Sequence, residues 1–318
     1  MPVASLSLND RAWQRADLLA AEPLRYNLHV ARLPGGARLI DCGVQVAGGL
    51  EAGRQLAEIC LSGLGTVSIV PGERQLWAGP AVTVHTDQPV AACLASQYAG
   101  WQVTCEKYFA MGSGPMRAAA NREPLFKDIG NTEAPQQVVG ILETNQLPTA
   151  AITGQIAEAC RVAPDKVTLL CAPTASLAGT MQVVARSLET ALHKLHELKF
   201  DLTKIVSGFG VAPLPPIAKD DLDAIGRTND AILYGGEVTI WVRASDDELA
   251  TLGPQVPSSS SRDFGEPFGK IFERYSGDFY KIDPFLFSPA VINFVNLTSG
   301  KLHRFGQFRP DVLQQWLT

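Results

Sequence analysis

An arginine and a glutamate three residues apart, Arg186 and Glu189, are the side chains best suited to chemistry in this chain. On a helix, residues at this spacing are neighbours, so the guanidinium can orient the carboxylate and favour its ionised form. An ionised, oriented glutamate is able to take a proton from water. The same spacing is common in solvated ion pairs, which stabilise a helix by only a few tenths of a kcal/mol. The pair therefore indicates either a water-activating site or an ordinary surface ion pair.

The segment from Cys171 to Phe200 must position this pair. Its apolar residues recur at the spacing of a helix that packs against a core: Val184, Leu188, Ala191, Leu195 and Leu198. At about 100° per residue, Arg186, Glu189, His193 and His196 fall on the opposite side. The sequence predicts a helix with an apolar ridge and a polar stripe.

The polar stripe also permits a metal site. Glu189, His193 and His196 stand at i, i+4 and i+7, so the three side chains could reach one ion, as in a metal hydrolase. The order of the residues differs from the H-E-x-x-H pattern of zinc proteases. A metal-dependent hydrolase is therefore an alternative to metal-free water activation.

The rest of the chain predicts an α/β fold. Its 318 residues suffice for two domains, and apolar runs typical of strands alternate with helical patterns. The Gly- and Pro-rich segment 207–216 predicts a loop, and residues 254–261 predict an exposed flexible stretch. Residues 227–230 and 234–236, around a short apolar run, have the composition of turns.

Longer blocks of sequence resemble the methenyltetrahydromethanopterin cyclohydrolase family. In chain order they are LIDCGVQVAGGLEAG, ASQYAGW, YFAMGSGPMRA, PTASLAG, RSLETALHKLHEL, SGFGVAPLPP and RTNDAILYGG. The resemblance places the family's catalytic Arg-x-x-Glu on Arg186 and Glu189. It implies hydrolysis of 5,10-methenyltetrahydromethanopterin to 5-formyltetrahydromethanopterin in one-carbon metabolism, of the formaldehyde-oxidising or methanogenic type. It implies no metal and no organic cofactor. A non-catalytic pterin-binding homologue is a further alternative, although such a protein has no need of the pair.

The resemblance further implies a homotrimer whose subunits have two α/β domains with the active-site cleft between them. We place the first domain at residues 1–87 plus about 265–318 and the second, with the catalytic helix, at residues 88–264.

A pterin needs hydrogen bonds along its edge and a flat side chain against its face. Backbone N–H groups near Gly112–Gly114 could hold a phosphate or carboxylate at a helix start. The predicted substrate-binding residues are Gln97, Tyr98, Gly112, Ser113, Gly114, Thr174, Ser176, Asn229, Asp230 and Tyr234.

Composition excludes several partners and compartments. The formal net charge is −5, so there is no basic surplus for nucleic acid or an anionic membrane. The start MPVASLSLNDRAW lacks the features of a signal peptide, and no apolar run is long enough to span a bilayer. The six cysteines are scattered without C-x-x-C, which is typical of reduced thiols. We expect a cytoplasmic protein.

Overall fold

The computed structural model describes residues 7–317, apart from the side chains of Tyr280 and Leu317. The first six residues of the N-terminal stretch considered above lie outside this range. The strands are β1 His29–Arg32, β2 Arg38–Asp41, β3 Thr66–Pro71, β4 Pro80–Thr86, β5 Trp101–Cys105, β6 Tyr108–Ser113, β7 Val138–Glu143, β8 Val167–Ala172, β9 Ile205–Pro213, β10 Glu237–Val242, β11 Val291–Asn296 and β12 Leu302–Gly306.

The α-helices are α1 Leu8–Ala21, α2 Leu50–Cys60, α3 Met116–Ala120, α4 Leu125–Ile129, α5 Ala150–Cys160, α6 Leu177–Val184, α7 Ser187–Glu197, α8 Asp221–Gly235, α9 Asp246–Leu252, α10 Phe268–Arg274 and α11 Pro310–Leu313. A π-helix covers Val90–Gln97, and 3₁₀ turns cover Pro164–Lys166, Leu202–Lys204, Gly253–Gln255, Ser258–Ser260, Phe279–Lys281, Pro284–Leu286 and Gln314–Leu317. Within the described range, no helix is both long and apolar enough to cross a membrane.

The chain forms two compact units, each with one six-stranded mixed sheet and helices, so the α/β prediction is confirmed. The first unit contains the described residues up to Leu64 together with Ala91–Gly179, and the second contains Gly65–Val90 together with the residues from Thr180 onwards. This division differs from the expected boundaries at residues 87 and 265. The physical reason is strand pairing, because β11 pairs in parallel with β10 and extends the second unit's sheet.

In the first unit, the sheet order is β1-β2-β8-β7-β6-β5, and the three central strands β2, β8 and β7 run parallel. Every residue of β8 is buried, as expected for a parallel strand covered on both faces. Leu169 packs in one apolar cluster with α5, and Leu170 packs in another with α1 and α2. The carboxyl ends of β2, β7 and β8 therefore lie at one edge of a well-covered sheet.

In the second unit, the sheet order is β12-β11-β10-β9-β4-β3. The predicted loop at 207–216 is wrong for most of its length, because β9 is a central strand paired with β10 and β4. The turn composition of residues 227–230 and 234–236 is misleading as well, since all of these residues except Gly236 belong to α8. In the stretch 254–261, Ser258 and Ser261 are buried, so that stretch is not simply exposed.

The predicted helix within Cys171–Phe200 is interrupted. It forms α6 and α7, and Arg186 stands at the N-cap of α7 with φ −87° and ψ 5°. The amide of Arg186 donates to the carbonyl of Val183, three residues back, and its own carbonyl accepts from the amide of Thr190. The apolar ridge is confirmed at Val184, Leu188, Ala191 and Leu195, which are fully buried, whereas Leu198 is half-buried.

Candidate functional site

The Arg186 and Glu189 side chains lie at the start of α7, and both are buried. Their exposed fractions are 6% and 4%, so the solvated surface ion pair is excluded. Glu189 is the third residue of an eleven-residue helix, where the positive end of the helix dipole favours a negative charge. The site can therefore hold a carboxylate away from bulk water.

A third side chain, Gln182 on α6, fixes the guanidinium. Its Oε1 accepts a hydrogen bond of 3.1 Å from Nη2 of Arg186, and Gln182 is itself buried. This contact bridges the interruption between α6 and α7. The sequence prediction missed Gln182, although its position four residues before Arg186 could have indicated a helical neighbour.

The histidines of the polar stripe lie further along α7, near Glu197. Nε2 of His193 lies 3.9 Å from Oε1 of Glu197, and Nδ1 of His196 lies 3.6 Å from the same oxygen. Throughout residues 7–317, no three His, Cys, Asp or Glu side chains are grouped so that they could ligate one ion. The geometry of Glu189, His193 and His196 thus gives the metal-hydrolase alternative no support.

In the first unit, polar side chains gather where the parallel strands end. Oγ1 of Thr174 donates to Oε1 of Glu143, the last residue of β7. Asp41, the last residue of β2, accepts from the amides of Gly43, Val44 and Gln45 at 2.9, 2.7 and 2.8 Å. Ligands of open α/β sheets bind outside the carboxyl ends of their strands. Thr174 therefore lies where a substrate is expected, and Glu143 was missed although it directly follows a buried apolar run.

Ser176 shapes the turn that leads into α6. Its Oγ donates to the carbonyl of Pro173 at 2.8 Å and accepts from the amide of Gly179 at 3.0 Å. The Ser176 hydroxyl is therefore hydrogen-bonded on both sides within the turn itself.

The predicted residues between the π-helix and α3 lie close together in the first unit. The amide of Gly114 donates to the carbonyl of Ser96 at 2.8 Å. One of the N–H groups that were expected to hold an anion is therefore already hydrogen-bonded within the protein. Oγ of Ser113 lies 3.3 Å from Sγ of Cys60, and both residues are buried. Gly112 is the penultimate residue of β6.

Gln97 and Tyr98 follow at the end of the π-helix. Gln97 is fully buried, and the ring of Tyr98 lies 4.9 Å from the guanidinium carbon of Arg117. One face of the Tyr98 ring is thus in contact with a cation of its own unit.

Two of the three predicted residues on α8, Asp230 and Tyr234, contact the segment before and at the start of α10. Oδ1 of Asp230 accepts from the amide of Phe268 at 2.7 Å, and burial raises the pKa of Asp230 to about 7. The hydroxyl of buried Tyr234 donates to the carbonyl of Glu266, and burial raises the pKa of Tyr234 to about 12. Nδ2 of Asn229 donates to the carbonyl of Ile225. These contacts give all three side chains structural partners, and their contact with a pterin stays a prediction.

Known proteins of one family match almost the whole chain. The family model described as "Cyclohydrolase (MCH)" matches residues 7–316. A protein of Methylobacterium sp. (strain 4-46) named methenyltetrahydromethanopterin cyclohydrolase is 48% identical over 314 residues, which cover 97% of each chain. Proteins with the same name from Rhodopirellula baltica and Methanospirillum hungatei are 48% and 40% identical, over 88% and 96% of this chain and 86% and 97% of theirs. The chain therefore belongs to the methenyltetrahydromethanopterin cyclohydrolase family.

Proposed function

We propose that the chain hydrolyses 5,10-methenyltetrahydromethanopterin to 5-formyltetrahydromethanopterin in one-carbon metabolism. The observation that carries the proposal is the buried Arg186–Glu189 pair at the start of α7, in a chain that belongs to this family. A carboxylate held out of bulk water in the first turn of a helix, three residues after a buried arginine, suits a general base, which contributes about 10²- to 10⁴-fold to a rate.

In the proposed reaction, water attacks the electrophilic methenyl carbon of the cationic substrate. Glu189 takes a proton from the water as the new carbon–oxygen bond forms. The methenyl carbon bridges two nitrogens, and the product keeps it on nitrogen 5. Its bond to the other nitrogen then breaks, and Glu189 returns the proton to this departing nitrogen. The remaining hydroxyl proton is released as the formyl carbonyl forms, so one proton leaves for each water consumed. Arg186, held by Gln182, orients Glu189 and favours its ionised state.

We propose that no metal or organic cofactor takes part. Binding of the substrate is assigned to the predicted residues, and Thr174 has the strongest geometric support because it lies at the carboxyl end of the parallel strands. We also propose that the protein acts as a homotrimer in the cytoplasm. Size-exclusion chromatography with light scattering tests the trimer, since a monomer mass at micromolar concentration would contradict it.

The role of Glu189 is tested with Glu189→Gln, which preserves the side chain's size but removes its ability to accept a proton. We expect kcat to fall on the order of 10²-fold or more while KM changes little. Glu197→Gln is the matched control, because it is the same change on the same helix at a side chain that is 38% exposed. A near-wild-type kcat for Glu189→Gln would remove Glu189 from the mechanism.

Arg186→Ala tests the orienting cation. It leaves the carboxylate but removes the positive charge, so we expect a lower kcat and an acidic limb of the pH–rate profile that moves to higher pH. Arg186 also repels a cationic substrate, and KM is therefore not expected to rise. An unchanged pH–rate profile would contradict the role given to Arg186.

Two measurements separate the alternatives. A metal-free hydrolase keeps its rate after chelator treatment, whereas a rate restored by one added metal would favour metal chemistry at the site. A non-catalytic homologue would bind the methenyl pterin without the loss of its absorbance that accompanies hydrolysis.

A further inference from the structure

Two glycines of β9, Gly208 and Gly210, lie directly under the first turn of α7. A β-carbon built on Gly210 would lie 2.6 Å from Oγ of Ser187 and 3.0 Å from the backbone nitrogen of Leu188. A β-carbon on Gly208 would lie 2.6 Å from Cδ1 of Leu188. Both glycines are absent from the residues with positive φ in the described chain, so space rather than backbone conformation requires them.

The two contacts differ in what must move. At Gly208 the obstacle is the far end of a leucine side chain, which can change its rotamer. At Gly210 the obstacle includes the backbone of Leu188, the residue immediately before Glu189. An added methyl at 210 would therefore force Ser187 to shift and push the main chain at Leu188 by a few tenths of an ångström, both in the helix turn that carries the proposed base.

The strand cannot retreat instead of the helix. Gly210 is paired with Val84 of β4 on one side and with Val238 of β10 on the other, so β9 is held by hydrogen bonds along both edges. Moving β9 would disturb two ladders, whereas moving the first turn of α7 disturbs one end of one helix. The displacement is therefore expected at residues 187–189.

We infer that Gly210 is a positioning residue for the reaction: its missing side chain sets how closely the first turn of α7, with Glu189, lies to the sheet. This inference rests on the proposed function. A misplacement of about 1 Å at a reacting group can lower a rate by about 10²-fold. Gly210→Ala should therefore lower kcat by about 10- to 100-fold and leave KM within about threefold, because it moves the base rather than the substrate site.

Ser187 offers a specific suppressor. The residue is fully buried, and its Oγ has no hydrogen-bond partner in the described structure. Ser187→Ala removes the atom that the new methyl would meet at 2.6 Å and costs no hydrogen bond. We expect Ser187→Ala alone to be near wild type. The double variant Ser187→Ala/Gly210→Ala should recover at least about fivefold of the lost kcat, because the closest contact is removed and only the looser contact of 3.0 Å with Leu188 remains.

The experiment measures kcat, KM and thermal unfolding for five variants: Gly210→Ala, Gly208→Ala, Ser187→Ala, the double variant and Glu189→Gln. Gly208→Ala is the matched control, because it adds the same methyl on the same face of the same strand and should lower stability without a comparable loss of kcat. If Gly210→Ala does not fold, the double variant decides: a folded, active double variant supports the inference, and an unfolded or equally impaired one overturns it.

Two further outcomes overturn the inference, namely a folded Gly210→Ala with wild-type kcat and a Gly208→Ala that loses as much kcat as Gly210→Ala. Failure of the proposed function has a different signature, since Glu189→Gln would then keep its rate. If Glu189→Gln loses its rate while Gly210→Ala does not, only the positioning role is lost.

Discussion

Asp230 on α8 should make the stability of the protein depend on pH. Its carboxyl is buried and accepts a hydrogen bond from the amide of Phe268, and burial raises its pKa to about 7 from an ordinary value of 3.8. The folded protein therefore keeps a proton on Asp230 between about pH 4 and 7, where the unfolded chain has lost it. Because the folded state binds more protons, the free energy of unfolding falls as pH rises through this window.

The size of the effect follows from the pKa. The rise from 3.8 is about three, and each pKa unit corresponds to about 1.4 kcal/mol, so at most about 4 kcal/mol is lost between pH 4 and pH 7. The hydrogen bond from Phe268 lowers the pKa, as does one from the side chain of Trp316, and both oppose the dominant effect of burial. The value of about 7 already includes these opposing effects, so a loss of up to about 4 kcal/mol is the expectation.

The assay compares wild type with Asp230→Asn, which cannot ionise and whose oxygen can still accept from Phe268. The melting temperature of each is followed from pH 4.5 to pH 8. The melting temperature of Asp230→Asn minus that of wild type should increase as pH rises, because only the wild type loses stability from ionisation of Asp230. The sign of this difference at pH 4.5 does not matter for the test. A constant difference across this range would refute the reasoning. The same variant tests the predicted substrate contact, since a purely structural Asp230 leaves KM unchanged.

Two further predictions concern buried charges. Burial lowers the pKa of Lys194, whose Nζ donates to Oγ of Ser260, to about 8 from 10.5, so the folded state binds fewer protons between these pH values. Stability should rise from about pH 8 to about pH 10 in wild type and not in Lys194→Met, as read from melting temperatures. Arg117 is fully buried and forms a two-point ion pair with Glu123. Glu123→Gln should cost about 3–5 kcal/mol in urea unfolding, because a buried cation loses its counter-charge, and a cost below about 1 kcal/mol would contradict that role.

Sequence patterns predicted the elements whose signal is local. The alternation of apolar runs with helical patterns predicted the α/β class, because elements such as β8 and α5 show their buried faces within a few residues of sequence. Strand β9 was missed for a physical reason: Gly208 and Gly210 read as loop residues, but they serve close approach of α7. Glycine content alone does not distinguish a loop from a strand on which a helix packs closely. The residues that make the difference here, Ser187 and Leu188, are distant from β9 in sequence.

The proposed catalytic pair likewise depends on both local sequence and tertiary packing. Spacing on a continuous helix suggested Arg186 and Glu189, yet the helix is interrupted at Arg186, which caps α7 and bonds back to Gln182 on α6. The guanidinium is thus anchored in the helix before the interruption, while the carboxylate lies in the first turn after it. Their relative position depends on how α7 rests on β9 as well as on helical geometry. A pattern of residue types can therefore suggest the pair, but it does not contain the contact of Ser187 and Leu188 with β9, which comes from tertiary packing.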